Sequence, residues 1–206
     1  MDRLVQALCS SEPPTGEARA PRLVALDGRS GAGKSTLTAR LAQQLGGPDQ
    51  AVVVPGDDFY DATRPDAFWD ATSPAERADL AIDWRRLRRE ALEPLLAGRS
   101  AVWRTYDYPA QRPDGTFPLS SEPVRRAPAP VVLLDGAYSA RPELRDLVDL
   151  AVLVHVTAEV QRKRLAQRDG TDGSADWLTR WAPAEEQYFT RVCPAAAFDL
   201  VLPCEA

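Results

Sequence analysis

The sequence predicts an α/β fold with a parallel sheet at its centre, and three observations carry that prediction. The runs Leu23–Leu26, Ala51–Val54, Val131–Leu134 and Leu150–Val154 are continuously apolar rather than alternating, as strands covered on both faces are. The first run passes through a glycine-rich turn directly into a helical pattern. At 206 residues the chain fits one domain with a sizeable core.

In chain order, residues 2–9 carry Leu4, Val5 and Leu8 on one side of a short helix, and 10–21 form a proline-rich linker, so 1–21 read as an appendage to a domain over 22–206. A strand at about 22–27 is followed by a helix at about 34–45, stopped by Gly46-Gly47-Pro48. The strand 51–54 ends in Pro55-Gly56 and opens onto Asp57-Asp58-Phe59-Tyr60. Residues 61–82 read as a mobile, partly helical excursion. Residues 83–97 form a firmer helix, capped by Asp83 and ended by Gly98, with Arg85, Arg86, Arg88 and Arg89 as its wet face.

The aromatic strand Ala101–Tyr108 and the segment Pro123–Arg126 suggest a small antiparallel arm at about 101–127, because proline and charge interrupt both halves. Its rings either stack on a planar ligand or pack on the domain. Beyond strands ending at Asp135 and Val156, Thr157 caps a helix to Gln167. Arg168–Gly173 then break into a flexible loop, with a lid at about 168–176. A helical region at 177–192 and a strand at 198–202 complete the order.

The chemistry centres on Gly28-Arg29-Ser30-Gly31-Ala32-Gly33-Lys34-Ser35-Thr36, the pattern G-x-x-x-x-G-K-[ST] between strand and helix. Glycines let the backbone wrap a polyphosphate, so that Gly28, Ser30, Gly31, Ala32, Gly33, Lys34, Ser35 and Thr36 form the nucleotide cradle at a helix N-terminus. Lys34 would reach the β/γ-phosphates, and the Ser35 hydroxyl would hold Mg²⁺. Lys34 and Lys163 are the only lysines among 25 basic residues; arginine is used everywhere else. A slim ammonium is therefore retained where a planar guanidinium fits poorly. Ligands of open α/β sheets bind beyond the carboxyl ends of the strands, which places Asp57 and Asp135 beside the same loop. Asp57 would accept a proton from an attacking hydroxyl or help hold Mg²⁺, and Asp135 ends its strand as a Walker B acid does. Arg164 and Arg168, four apart on one helix face, either neutralise charge on a phosphoryl group in transfer or form a solvated basic face.

Composition narrows the function. A net charge of −5 offers no broad positive field for nucleic acid. Cys9, Cys193 and Cys204 are too scattered for a disulfide framework, and with His155 alone a His-ligated zinc or a catalytic triad is not expected. No signal peptide or bilayer-length apolar run is evident, so the expected compartment is the cytoplasm, without membrane partners. A homo-oligomer is compatible with the sequence.

The phosphate loop, Asp57-Asp58-Phe59-Tyr60, Asp83–Leu87, Tyr106-Asp107-Tyr108, Leu134-Asp135-Gly136 and Arg164…Arg168-Asp169 occur in the order seen in uridine kinases. The chain resembles that group, which includes phosphoribulokinase, pantothenate kinase and nicotinamide riboside kinase, over about 22–202. The resemblance implies a P-loop NTPase fold with a five-stranded parallel sheet flanked by helices, a β-arm and a short lid. It implies Asp57 as general base with Tyr60 near the substrate, Asp135 at the metal, Tyr106 and Tyr108 at the nucleobase, and Arg164 and Arg168 as lid arginines. Gln111, beside Arg112, stands nearest to the position of a base-recognising His, and Asp70, with Asp66 and Asp79 behind it, to the acid holding the ribose hydroxyls. The lid lacks the family's Glu-Arg-Gly-Arg run. The activity implied is ATP- and Mg²⁺-dependent phosphorylation of a small-molecule hydroxyl, the 5′-hydroxyl of a uridine- or cytidine-like nucleoside. The alternatives are a non-nucleoside alcohol (pantothenate-like or antibiotic) or a nucleotide-binding regulatory NTPase.

Overall fold

The computed structural model describes residues 21–204, without the side chains of 169–177; the helix and linker expected before residue 21 lie outside the described residues. Five strands, β1 (Arg22–Asp27), β2 (Ala51–Pro55), β5 (Val131–Asp135), β6 (Leu150–His155) and β7 (Leu200–Pro203), form one parallel sheet in the order β2-β5-β1-β6-β7. β1 is central, and Leu23 to Leu26 are fully buried, as the unbroken apolar run requires. Helix α1 (Lys34–Gln44) covers one face through Leu37, Leu41 and Leu45, packed on Val24, Leu26 and Val152. The opposite face carries the larger core, in which Leu87, Leu92, Leu95 and Tyr188 meet Leu23, Val54 and Leu134.

The excursion after β2 is helical over much of its length: α2 (Asp66–Ala71) and α3 (Pro74–Leu80), the latter started by a reciprocal Ser73–Glu76 capping box. α4 (Trp84–Leu87) begins with Asp83 accepting the Arg86 amide at 2.9 Å, as expected. It continues through a π turn (Arg88–Leu92) into α5 (Glu93–Leu96), where Pro94 has no amide to give an unwidened helix. The expected wet face needs correcting at Arg86, which is buried. Its guanidinium donates to the carbonyls of Asp58 (2.7 Å) and Arg104 (2.8 Å) over the Phe59 ring.

The arm exists but is shorter than the aromatic pattern suggested. β3 (Ala101–Trp103) pairs antiparallel with β4 (Val124–Arg126), and the chain leaves the strand after Trp103. A second correction concerns the lid. α6 (Ala158–Arg180) is one helix of 23 residues, capped by Thr157, whose hydroxyl accepts the Val160 amide at 3.3 Å. The expected loop at Arg168–Gly173 is helical backbone within it: two glycines lower helix propensity but do not remove amide donors as proline does. α7 (Ala182–Gln187) follows and returns the chain to the mouth of the sheet.

Candidate active site

Sheet register assembles the site. Leu26 and Pro55 each lie level with Asp135 on neighbouring strands, so the loop after β1, Asp57 after β2 and Asp135 at the end of β5 converge at one edge. The turn after β1 depends on its glycines. A Cβ on Gly28 would lie 2.4 Å from the Val154 carbonyl oxygen, and Gly33 holds φ 91° at the N-cap of α1.

A cavity of about 290 Å³ opens over this loop, lined by Ser30, Gly31, Gly33, Lys34, Ser35 and Thr36 together with Asp57, Asp135, Arg164 and Arg168. Gly28 and Ala32 do not line it: the Gly28 amide donates to Asp27 (2.7 Å) and the Ala32 amide to the Arg29 carbonyl (3.0 Å), so both hold the loop's shape. The amides free to face an anion are those of the lining glycines and the first turn of α1, which have no carbonyl one turn behind them. The Lys34 ammonium reaches back across the loop to the carbonyls of Gly28 (2.8 Å) and Arg29 (3.1 Å). Arg164 donates to the Ala32 carbonyl at 3.1 Å from the far side.

The paired acids Asp57 and Asp58 have separate tasks. Asp58 accepts the Trp103 indole N–H at 2.8 Å and ties the arm to the domain. Asp57 faces water in the cavity yet is walled by protein. Burial raises its pKa, against the opposing pull of Lys34 and Arg168. Asp135 is also raised by burial, opposed by a hydrogen bond from Ser35 and by Lys34. Its Oδ1 is buried without a partner among the described residues. A hydroxyl beside a carboxylate with an oxygen left over is a donor set suited to a hard divalent cation that takes its remaining ligands from phosphate and water.

A second cavity of about 370 Å³ adjoins the first and shares Ser30, Asp57 and Arg168 with it. Its aromatic wall comprises Tyr60, Tyr106 and Tyr108, as expected, together with Trp69, Phe117 and Trp181. Tyr106 and Tyr108 stand edge-to-face with centroids 4.6 Å apart. Four expected acceptor residues are elsewhere. Asp70 pairs with Arg180 (2.8 Å) outside the cavity, whereas Asp66, held by the same arginine at 2.6 Å, lines it. Gln111 donates to Asp66 at 2.7 Å and Arg112 closes a turn with Thr116; both are exposed and neither lines the cavity. Asp79 is bound to Arg141.

Residues not singled out in the sequence complete the site. Asp27, fully buried, accepts from the amides of Gly28, Tyr138 and Ala140 and from the Tyr188 hydroxyl at 2.8 Å, clamping the loop to β5's exit and α7's end. Glu185 on α7 accepts from the Ser30 amide (3.0 Å) and hydroxyl (2.6 Å). Neither carboxylate has a sequence-local motif; apart from the Gly28 amide on Asp27, the partners named here lie more than a hundred residues away.

A family model described as an AAA domain matches residues 23–182. The uridine kinase of Deinococcus deserti is 30% identical over 156 residues, covering 75% of this chain and 71% of that protein. Uridine kinase-like protein 3 of Arabidopsis thaliana is 28% identical over 184 residues, 89% of this chain; the chain spans 37% of that relative's length. The structure of a possible uridine kinase from Bacillus stearothermophilus has a TM-score of 0.66 at 19% identity, over 98% of this chain and 96% of that one, a likeness of fold. With its phosphate loop, strand-end acids and adjoining acceptor-sized cavity, the chain belongs to this P-loop family and, within it, to the uridine kinase-like small-molecule kinases.

Proposed function

We propose that the protein transfers the γ-phosphate of ATP to the 5′-hydroxyl of a nucleoside of the uridine or cytidine type, with Mg²⁺. The observation that carries this is the position of Asp57, among the described residues the one carboxylate lining both the phosphate-loop cavity and the aromatic cavity. The acceptor hydroxyl gives its proton to the Asp57 carboxylate as its oxygen bonds to the γ-phosphorus. The bond from that phosphorus to the β–γ bridging oxygen breaks, and ADP departs. Lys34, Arg164 and Arg168 offset the charge on the transferring group, and the amides of the phosphate loop hold the triphosphate in line. Ser35 and Asp135 would hold Mg²⁺, which neutralises phosphate charge when bound. The tyrosine-rich wall supports a flat acceptor such as a nucleobase, which stacks on rings.

The test is ADP release from ATP and Mg²⁺ in the presence of a panel of nucleosides, ribosides and pantothenate. The expected result is release that depends on a pyrimidine nucleoside. Release with pantothenate alone would move the acceptor to the non-nucleoside alcohols, and nucleotide binding without acceptor-dependent release would refute phosphotransfer.

A further inference from the structure

Arg86 takes no part in the transfer chemistry, yet its charge is buried: the residue is 8% exposed on α4. Its two terminal nitrogens reach two different segments. Nη2 donates at 2.7 Å to the carbonyl of Asp58, in the short turn Gly56–Phe59 that carries Asp57. Nη1 donates at 2.8 Å to the carbonyl of Arg104, where the arm leaves β3 on its way to Tyr106 and Tyr108. The guanidinium lies over the fully buried Phe59 ring, 4.5 Å from its centroid. The Asp58 carbonyl also accepts the Tyr106 amide at 3.0 Å, so both its lone pairs are used, and the Asp83 amide holds the Phe59 carbonyl at 2.8 Å. On its other side the turn is wedged against β5, where a Cβ on Gly56 would lie 3.3 Å from the Asp135 carbonyl oxygen.

A buried cation is costly to desolvate, and an apolar side chain of similar size would fill this space more cheaply. What an apolar residue cannot do is bridge. A planar fork donates in two fixed directions at once, whereas a lysine supplies a point charge to one of them. We infer that Arg86 is a positioning residue for the transfer, a brace that sets the distance from the Asp57 carboxylate to the tyrosine wall and so the length of acceptor that can reach the base. Asp57 immediately precedes Asp58, Tyr106 follows Arg104 by two, and both line the acceptor cavity. The arm that carries the wall has two strands of three residues each, too little sheet to hold its own place, so its position depends on ties to the domain. The Trp103 indole on Asp58 is such a tie at the root of the arm; Arg86 adds one nearer the rings.

The brace rests on the proposed phosphotransfer, and the experiment separates the two. The probes are the acceptor that the wild type turns over best and its homologue with one extra methylene before the reacting hydroxyl, compared in the wild type, Arg86→Lys and Arg86→Ala. A misplacement of about 1 Å costs on the order of 10²-fold in rate. The wild type is therefore expected to prefer the parent over the homologue by about 10²-fold in kcat at saturating acceptor. In Arg86→Lys, which keeps a cation for one of the two carbonyls, and further in Arg86→Ala, kcat for the parent should fall. The ratio should narrow by about tenfold or more, with ATP affinity by calorimetry unchanged. Partial unfolding lowers both rates alike and leaves the ratio where it was, so a merely structural role is told apart. Should Arg86→Ala not fold, Arg86→Lys carries the comparison. An unaltered ratio in the variants, or a wild type indifferent to the methylene, overturns the brace while leaving phosphotransfer standing. Failure of the wild type to phosphorylate any acceptor of the panel overturns both.

Discussion

Replacing Asp57 by Asn keeps the shape of the side chain and removes its capacity to take a proton. Because Asp58 is already tied to Trp103 by its Oδ2, the neighbouring acid cannot swing in as a substitute. A positioned general base contributes about 10²–10⁴-fold, which at 1.36 kcal/mol per decade is about 2.7–5.4 kcal/mol of transition-state stabilisation. Coupled-enzyme ADP release at saturating ATP and acceptor should show kcat reduced within that range, and calorimetry should show ATP affinity nearly intact, since in the proposed mechanism the loop and Lys34, not Asp57, hold the phosphates. The pH profile carries a second signature. Burial holds the folded pKa of Asp57 above the ordinary value of 3.8, so the acid limb of kcat/KM in the wild type should lie above that value and vanish in Asp57→Asn. The same raised pKa means that folded-state stability falls as pH rises from the unfolded pKa through the folded one. Asp57→Asn should therefore melt higher than wild type at pH 7, with the difference disappearing in acid. Wild-type kcat in the variant would refute the base assignment outright.

The remaining expectations concern the other acids. Asp135→Asn should raise the Mg²⁺ concentration needed for half-maximal turnover by about tenfold or more, because a neutral amide is a poor ligand for a hard cation; a Mg²⁺ titration checks it. Tyr188→Phe leaves buried Asp27 short of one donor and should cost about 1–3 kcal/mol, lowering Tm by roughly 2–4 °C per kcal/mol, as read by calorimetry. Asp66→Ala should raise the acceptor KM several-fold more than Asp70→Ala, since only Asp66 lines the cavity although both bind Arg180; steady-state kinetics on the two variants would show it.

The phosphate loop, its lysine and the strand-end acids Asp57 and Asp135 were legible in the chain because their chemistry depends on residues adjacent in sequence. A turn that wraps an anion must have its glycines in fixed places, and an apolar run ending in Asp announces where the strand stops. Thr157 and Asp83 as helix caps were legible for the same reason. What only the tertiary structure decided involves partners far apart. Arg86 reads as one arginine among four on a helix, and its burial against Asp58 and Arg104 follows from how the arm folds back. Asp66 and Asp70, four apart, share a face of α2 and both bind Arg180, so that Asp66 alone of the two lines the cavity depends on which end of the helix packs there. Asp27, Tyr138 and Glu185 carry no local pattern at all. The sheet order β2-β5-β1-β6-β7 and the return of α7 bring them to the phosphate loop, and a buried carboxylate acquires its meaning only from the donors that folding sets around it.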